Sequence, residues 1–322
     1  MIQFPAGIDA TLFLRDYWQQ RPLLIPQGLP GFQSPLDGDE LAGLSLDEDV
    51  ESRLIMETGF ESPWELHQGP FPETFYSQLP AAPWTLLVQA LDLWVPGVDA
   101  LIDHFNFLPR WRIDDIMASY ATRGGSVGPH FDYYDVFLIQ GQGSRHWAIG
   151  ELCDQHTPLL TGTPLKILQD FRSSQHWVLN PGDILYLPPC IAHHGIAEDD
   201  GCITYSVGFR SPTAGELLDD LATEVISRGG GSYFRDPPLT PDMATDSIHP
   251  AFIGQVQQLL LDTLNDSSQL EAWFASYMTR CKYPHLENDP DLPPRRARLQ
   301  GDTGASDRLF VNGFEVTEDP AE

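Results

Sequence analysis

His130 and Asp132 lie two positions apart in Gly128-Pro129-His130-Phe131-Asp132, and a histidine pair, His193-His194, follows far downstream. A His-x-Asp pair plus one distant histidine is the donor set of a 2-His-1-carboxylate facial triad. Such a triad holds a divalent iron by one face and leaves the other face open to substrate, co-substrate and oxygen. On an extended strand, residues i and i+2 point to the same side, so His130 and Asp132 are expected to reach one ion together. The bland alternative is two turn residues at a strand start. The surroundings favour the metal: a glycine-rich lead-in (residues 124–129) and then an aromatic, apolar run (residues 133–139). The third donor comes from the segment 180–195, where Pro181-Gly182-Asp183 turns, residues 184–187 form a buried strand, and Pro188-Pro189 directs the chain towards His193-His194. Neighbours on an extended chain face opposite ways, so only one of these two histidines can bind, and periodicity does not choose between them. An iron oxygenase that uses 2-oxoglutarate also needs a cation for the distal carboxylate, and arginine fits it in bidentate fashion. Arg145 follows the strand after the His-x-Asp pair, with Trp147 on the same face and His146 on the other.

These side chains need a rigid frame. From residue 111 to 210 the chain reads as short strands punctuated by glycine and proline: 116–121, 135–140, 145–149, 175–179, 183–187 and 203–209. That pattern predicts a sandwich or barrel of the jelly-roll kind. Before it, Asp9 caps a helix over 10–20, residues 23–25 form a strand, and residues 81–102 carry a second helical pattern. After it come helices over 214–227, capped by Thr213, and over 252–264 and 269–282; residues 308–316 read as a small hairpin. The leucines of the later helices form a satellite bundle or an apolar face for a twin subunit.

The formal net charge is −28, from 46 acidic and 18 basic residues in a chain of 322. Direct nucleic-acid binding is not expected, because phosphates call for a basic face. An acidic surface steers in a cationic partner, and it also serves simple solubility. Four cysteines without CxxC spacing read as reduced thiols of a cytoplasmic protein. No signal peptide and no membrane helix are evident.

Taken together, Tyr17-Trp18-Gln19-Gln20-Arg21-Pro22, residues 111–117, 128–137, 181–189 and 205–210, and Gln140-Gly141-x-Gly143 resemble the bacterial branch of the JmjC-domain ribosomal oxygenases. These are 2-oxoglutarate-dependent hydroxylases of an arginine on large-subunit ribosomal protein L sixteen. The likeness runs from residue 8 to about 285. It implies a mainly β fold with helices: a double-stranded β-helix, cupin-like JmjC domain over 1–210, a helical dimerisation region over 211–287, and a truncated winged-helix-like segment over 288–322. The resemblance implies a homodimer. It also implies Fe(II) on His130, Asp132 and His193, with O2 and 2-oxoglutarate as co-substrates. Arg145, Ser119 and Thr204 fall in the 2-oxoglutarate pocket, although Thr204 stands where the family typically carries asparagine. Asp115, Met117 and Tyr134 fall at the substrate guanidinium. Two rivals remain: a JmjC histidyl hydroxylase of a ribosomal protein, and a non-catalytic cupin-like scaffold. Asp115 favours a cationic side chain over a histidine, and the intact donor set with Arg145 disfavours a scaffold.

Overall fold

A computed structural model of the chain describes residues 1–57, 64–80, 83–243, 246–287, 289–301 and 307–317. It divides into two compact units, Met1–Ser211 and Pro212–Glu322. The first unit runs through α1 (Ala10–Asp16), β1 (Leu23–Ile25), α2 (Gly38–Leu44), β2 (Ser52–Met56), β3 (Glu65–Gln68), β4 (Trp84–Val88), α3 (Leu91–Trp94) and α4 (Pro96–Asp99). It continues through β5 (Ile113–Ala121), β6 (Val136–Gln142), β7 (Arg145–Leu152), β8 (Gln175–Leu179), β9 (Ile184–Leu187), β10 (Ile191–Ala197) and β11 (Cys202–Phe209). Eight strands pair in the order β1-β9-β6-β11-β5-β4-β2-β3, and a second sheet has the order β10-β7-β8. Every pairing is antiparallel.

Strand alternation sorts the core into two layers. Phe137 and Ile139 of β6 join a large cluster on one face of the eight-stranded sheet, with Phe13, Ile116, Ala118, Tyr186, Tyr205 and Val207. Val136 and Leu138 point the other way and meet Trp147, Ile149 and Leu179 of the smaller sheet. Residues one position apart face opposite sides of a sheet, so β6 must be apolar on both. The two facing sheets make the jelly roll that the strand spacing predicts.

Two expectations need correction. The helix predicted over 10–20 ends at Asp16, capped at its start by Asp9, which accepts from Leu12 N at 2.8 Å. Beyond it Gln19 turns into the left-handed region at φ 57 and donates its backbone N–H to the Tyr186 hydroxyl at 2.7 Å. The helical pattern over 81–102 begins outside the described residues at 81–82, and its next part, Trp84–Val88, is strand β4 between β2 and β5. A short apolar run suits either period, and the ladder partners on both sides decide it. The extended chain expected at His193-His194 after Pro188-Pro189 is the strand β10.

In the second unit, α5 (Ala214–Ser227) starts with a reciprocal capping box between Thr213 and Glu216. Then come α6 (Pro250–Leu264), α7 (Ser267–Thr279) and a sheet of β12 (Arg296–Leu299), β13 (Arg308–Val311) and β14 (Phe314–Val316). α7 packs on this sheet. The expected hairpin is present as β13–β14, turning through Asn312 (φ 48) and Gly313 (φ 87), the left-handed pair a tight hairpin needs. Residues 288, 302–306 and 318–322 of the predicted C-terminal segment lie outside the described residues. Among the described residues, no helix is long and apolar enough to cross a membrane.

Candidate active site

The metal-ligand candidates meet where the segment before β6 crosses β10. His130 N donates to the His193 carbonyl at 3.0 Å, and His193 N donates to the His130 carbonyl at 2.8 Å. This isolated bridge replaces the expected strand through His130 and Asp132. Asp132 lies in an irregular loop past it, with its carbonyl accepting from Cys190 N at 2.6 Å. The chain bends because Gly128 sits at φ 82, where a Cβ would come 2.9 Å from Ile167. Only glycine takes that turn without strain. Irregular loop backbone past the bridge, and not strand alternation, therefore sets Asp132 beside His130.

His130 Nε2 stands 4.0 Å and His193 Nε2 3.7 Å from Asp132 Oδ2. One donor atom from each residue lies within 4.8 Å of the others, the only such group of three among the described residues. The Nδ1 atoms of His130 and His193 face the carbonyls of Gly128 and Ile191, each at 2.9 Å. A carbonyl partner places the proton on Nδ1 and turns the Nε2 lone pair towards the site. Burial, reinforced by the neighbouring His130, pushes His193 down to about 4, so it is neutral and able to ligate at neutral pH. The structure also separates the histidine pair. His194 faces away, edge-on to Phe171 with ring centroids 5.9 Å apart. Two imidazoles and one carboxylate with both Nδ1 positions engaged fit a divalent iron that keeps open positions.

A cavity of about 420 Å³ opens beside this group. Alternation along β5 sends Ile116 and Ala118 into the core and Asp115, Met117 and Ser119 into the cavity. β11 contributes Thr204, whose hydroxyl donates to Gln140 Oε1 at 3.0 Å, and Ser119 Oγ donates to the Thr204 carbonyl at 3.5 Å. Arg145 is only 3% exposed. Its Nε and Nη2 are buried without an acceptor among the described residues, and its guanidinium lies 5.9 Å from the Trp147 ring. A desolvated cation with unpartnered N–H groups is costly, and it suits an incoming carboxylate. His146 points outward and stacks on His176 at 5.2 Å. Asp115, 8% exposed, accepts from Ala90 N at 3.1 Å. Tyr134 lines the same cavity, and the Asp132 carboxylate, followed by burial, pushes its hydroxyl far up, so it stays protonated.

All nine residues singled out in the sequence therefore share one cavity. Arg53, Gln89, Lys166 and Ser206 also line it and were missed. Ser206 follows from the alternation that turns Thr204 inward. Arg53 and Gln89 lie on β2 and just after β4, neither of which the sequence reveals as a strand, so there was no face to assign.

The JmjC domain family matches residues 100–217. The ribosomal protein uL16 3-hydroxylase of Escherichia coli is 38% identical over 288 residues, covering 88% of this chain and 74% of that protein. A probable ribosomal oxygenase of Haemophilus influenzae is 37% identical, covering 91% and 74%. The solved Escherichia coli ribosomal oxygenase YcfD in complex with cobalt and 2-oxoglutarate superposes with a TM-score of 0.82 at 32% identity, covering 99% of this chain and 88% of that one. A facial donor set, a buried cation across the cavity and relatives of this extent converge: the chain belongs to the JmjC-domain ribosomal oxygenases, enzymes that work with iron(II) and 2-oxoglutarate.

Proposed function

We propose that this enzyme hydroxylates the β-carbon of an arginine on ribosomal protein uL16 of the large subunit. The observation that carries the substrate reading is Asp115 and Tyr134 in one cavity with His130, Asp132 and His193. When bound, iron(II) and 2-oxoglutarate supply an oxidant from O2 that inserts one oxygen atom into a C–H bond, with succinate and carbon dioxide as co-products. His130, Asp132 and His193 hold the ion. Arg145 pairs with the distal carboxylate of 2-oxoglutarate, in a pocket whose polar lining is Ser119 and Thr204. Asp115 accepts from the substrate guanidinium, Met117 packs on the aliphatic stem, and the Tyr134 ring offers a face to the cation. Val136, Leu138 and Trp147 keep water from the reacting centre. The relatives' names and the net charge of −28 support a basic ribosomal substrate.

The enzyme acts in the cytoplasm as a homodimer joined through the helices of the second unit. The support is the apolar stripe on α6, where Ile253, Val256, Leu260, Leu261 and Leu264 are each at least 37% exposed. α5 adds Leu218 and Ile226, and neither helix buries a residue. A helix with so wide an uncovered apolar stripe calls for a partner. The test of function is mass spectrometry of a uL16 peptide incubated with enzyme, Fe(II) and 2-oxoglutarate. The expected result is one added oxygen on arginine with matching succinate. Oxygen on histidine, or no peptide oxidation, overturns the reading.

A further inference from the structure

Asp135 is 1% exposed and three residues past the ligand candidate Asp132, yet it does not line the cavity. Its Oδ1 accepts from the Tyr186 hydroxyl at 2.7 Å, and its Oδ2 accepts from Gln19 Nε2 at 3.0 Å. Arg112 stands 3.9 Å away as the nearest cation. Tyr186 belongs to β9, and its phenol also accepts from the Gln19 backbone N–H. Gln19 holds the left-handed conformation that makes both contacts reachable, which accounts for part of the Tyr17–Pro22 motif. The same loop is pinned through its backbone: Cys190 N donates to the Asp132 carbonyl, and Phe209 N donates to the Asp135 carbonyl at 3.1 Å. One buried carboxylate thus ties the ligand loop to the turn after α1 and to β9.

We infer that Asp135 is a positioning residue for the metal site, holding the 132–135 loop so that the Asp132 carboxylate faces the Nε2 atoms of His130 and His193. The inference rests on the proposed metal role of those three residues. Asp132 lies outside any strand, so no ladder fixes its side chain, and loop hydrogen bonds must do so. A buried carboxylate in a low-dielectric site orders its donors strongly and loses that power when one is removed. Asp135→Leu removes both acceptor oxygens from Gln19 Nε2 and the Tyr186 hydroxyl while keeping a side chain of similar length. Gln19→Leu removes the first of these contacts from the far side and leaves Asp135 intact.

The test is Mn(II) binding to the full chain, by calorimetry and by the electron paramagnetic resonance of bound Mn(II), beside thermal unfolding. Groups that orient ligands typically change metal affinity by about 10–100-fold. Both variants are expected to weaken Mn(II) by at least about ten-fold and to broaden the bound-metal spectrum at temperatures where circular dichroism shows a native fold. Mn(II) affinity within two-fold of the wild type in a folded Asp135→Leu or Gln19→Leu chain overturns the inference; if Asp135→Leu does not fold, Gln19→Leu decides alone. A wild-type chain that binds no Mn(II) refutes the metal site itself, a distinct outcome, and neither result depends on the identity of the substrate.

Discussion

Replacing Arg145 with methionine should make the ligand-free enzyme more stable and nearly blind to 2-oxoglutarate. Arg145 is 3% exposed, and two of its nitrogens have no acceptor among the described residues. Exchanging buried ions for apolar side chains of similar volume often gains about 1–4 kcal/mol. The cavity is partly open, so the low end applies. About 1 kcal/mol corresponds to a rise in melting temperature of about 2–4 °C for a unit of this size. Binding moves in the opposite direction. Two charge-assisted hydrogen bonds to a carboxylate are worth about 1.5–3 kcal/mol each. Even their minimum, about 3 kcal/mol, weakens 2-oxoglutarate by about 100-fold. The assay is thermal unfolding with Mn(II), with and without 2-oxoglutarate. At about 100 times its dissociation constant the co-substrate stabilises the wild type by about 2.7 kcal/mol, or about 5–10 °C, and should shift Arg145→Met by only about 0.4 kcal/mol, or about 1–2 °C. A variant that is both less stable and stabilised by 2-oxoglutarate as much as the wild type at the same concentration would refute the assignment of Arg145 as the cation awaiting that carboxylate.

Further expectations concern the metal, the substrate, pH and assembly. His130→Ala or Asp132→Ala abolishes turnover with little change in the circular dichroism spectrum; full activity in either variant would end the triad reading. Asp115→Asn raises the peptide KM by about 10–100-fold through loss of a charged contact while leaving the 2-oxoglutarate KM unchanged, and a change confined to 2-oxoglutarate would count against it. His193 is held at about 4 by burial, with His130 adding to the effect, below its unfolded value of ~6.5. The unfolded chain therefore binds the extra proton first, so the stabilisation is fully present above ~pH 6.5 and is lost as pH falls towards ~4. Urea midpoints of chelator-treated protein should drop between ~pH 7 and ~pH 5, and the drop should be shallower in His193→Gln. Equal drops would contradict this. Leu260, 62% exposed on α6, becomes a charge in Leu260→Lys, which should yield monomers in sedimentation; an unchanged dimer would place the interface elsewhere.

The order of strands along the chain was largely legible. Residues 175–179 match β8, and Ala214–Ser227 with its Thr213 cap matches α5, because turn residues and caps act over a few neighbours. β4 was misread because Trp84–Val88 is buried on both faces and nearly all apolar, which erases the period that separates strand from helix. β2, Ser52-Arg53-Leu54-Ile55-Met56, carries a cavity-facing arginine and so shows no clean alternation.

For the site, residue types alone named the chemistry: two imidazoles, a carboxylate and an arginine, with resemblance selecting His193. The sequence also determined which residues of β5 share a face, since a period of two needs no knowledge of the fold. Tertiary structure decided the rest. It placed His130 and Asp132 together outside any strand, turned His193 inward and His194 towards Phe171, and buried Nε and Nη2 of Arg145 without an acceptor among the described residues. It alone joined Asp135 to Gln19 and Tyr186, residues 116 and 51 positions away in the chain. Spacing along a strand is local and can be read from sequence. Desolvation and the pairing of distant polar groups depend on what the rest of the chain packs around them, and that exists only once the sheets have closed.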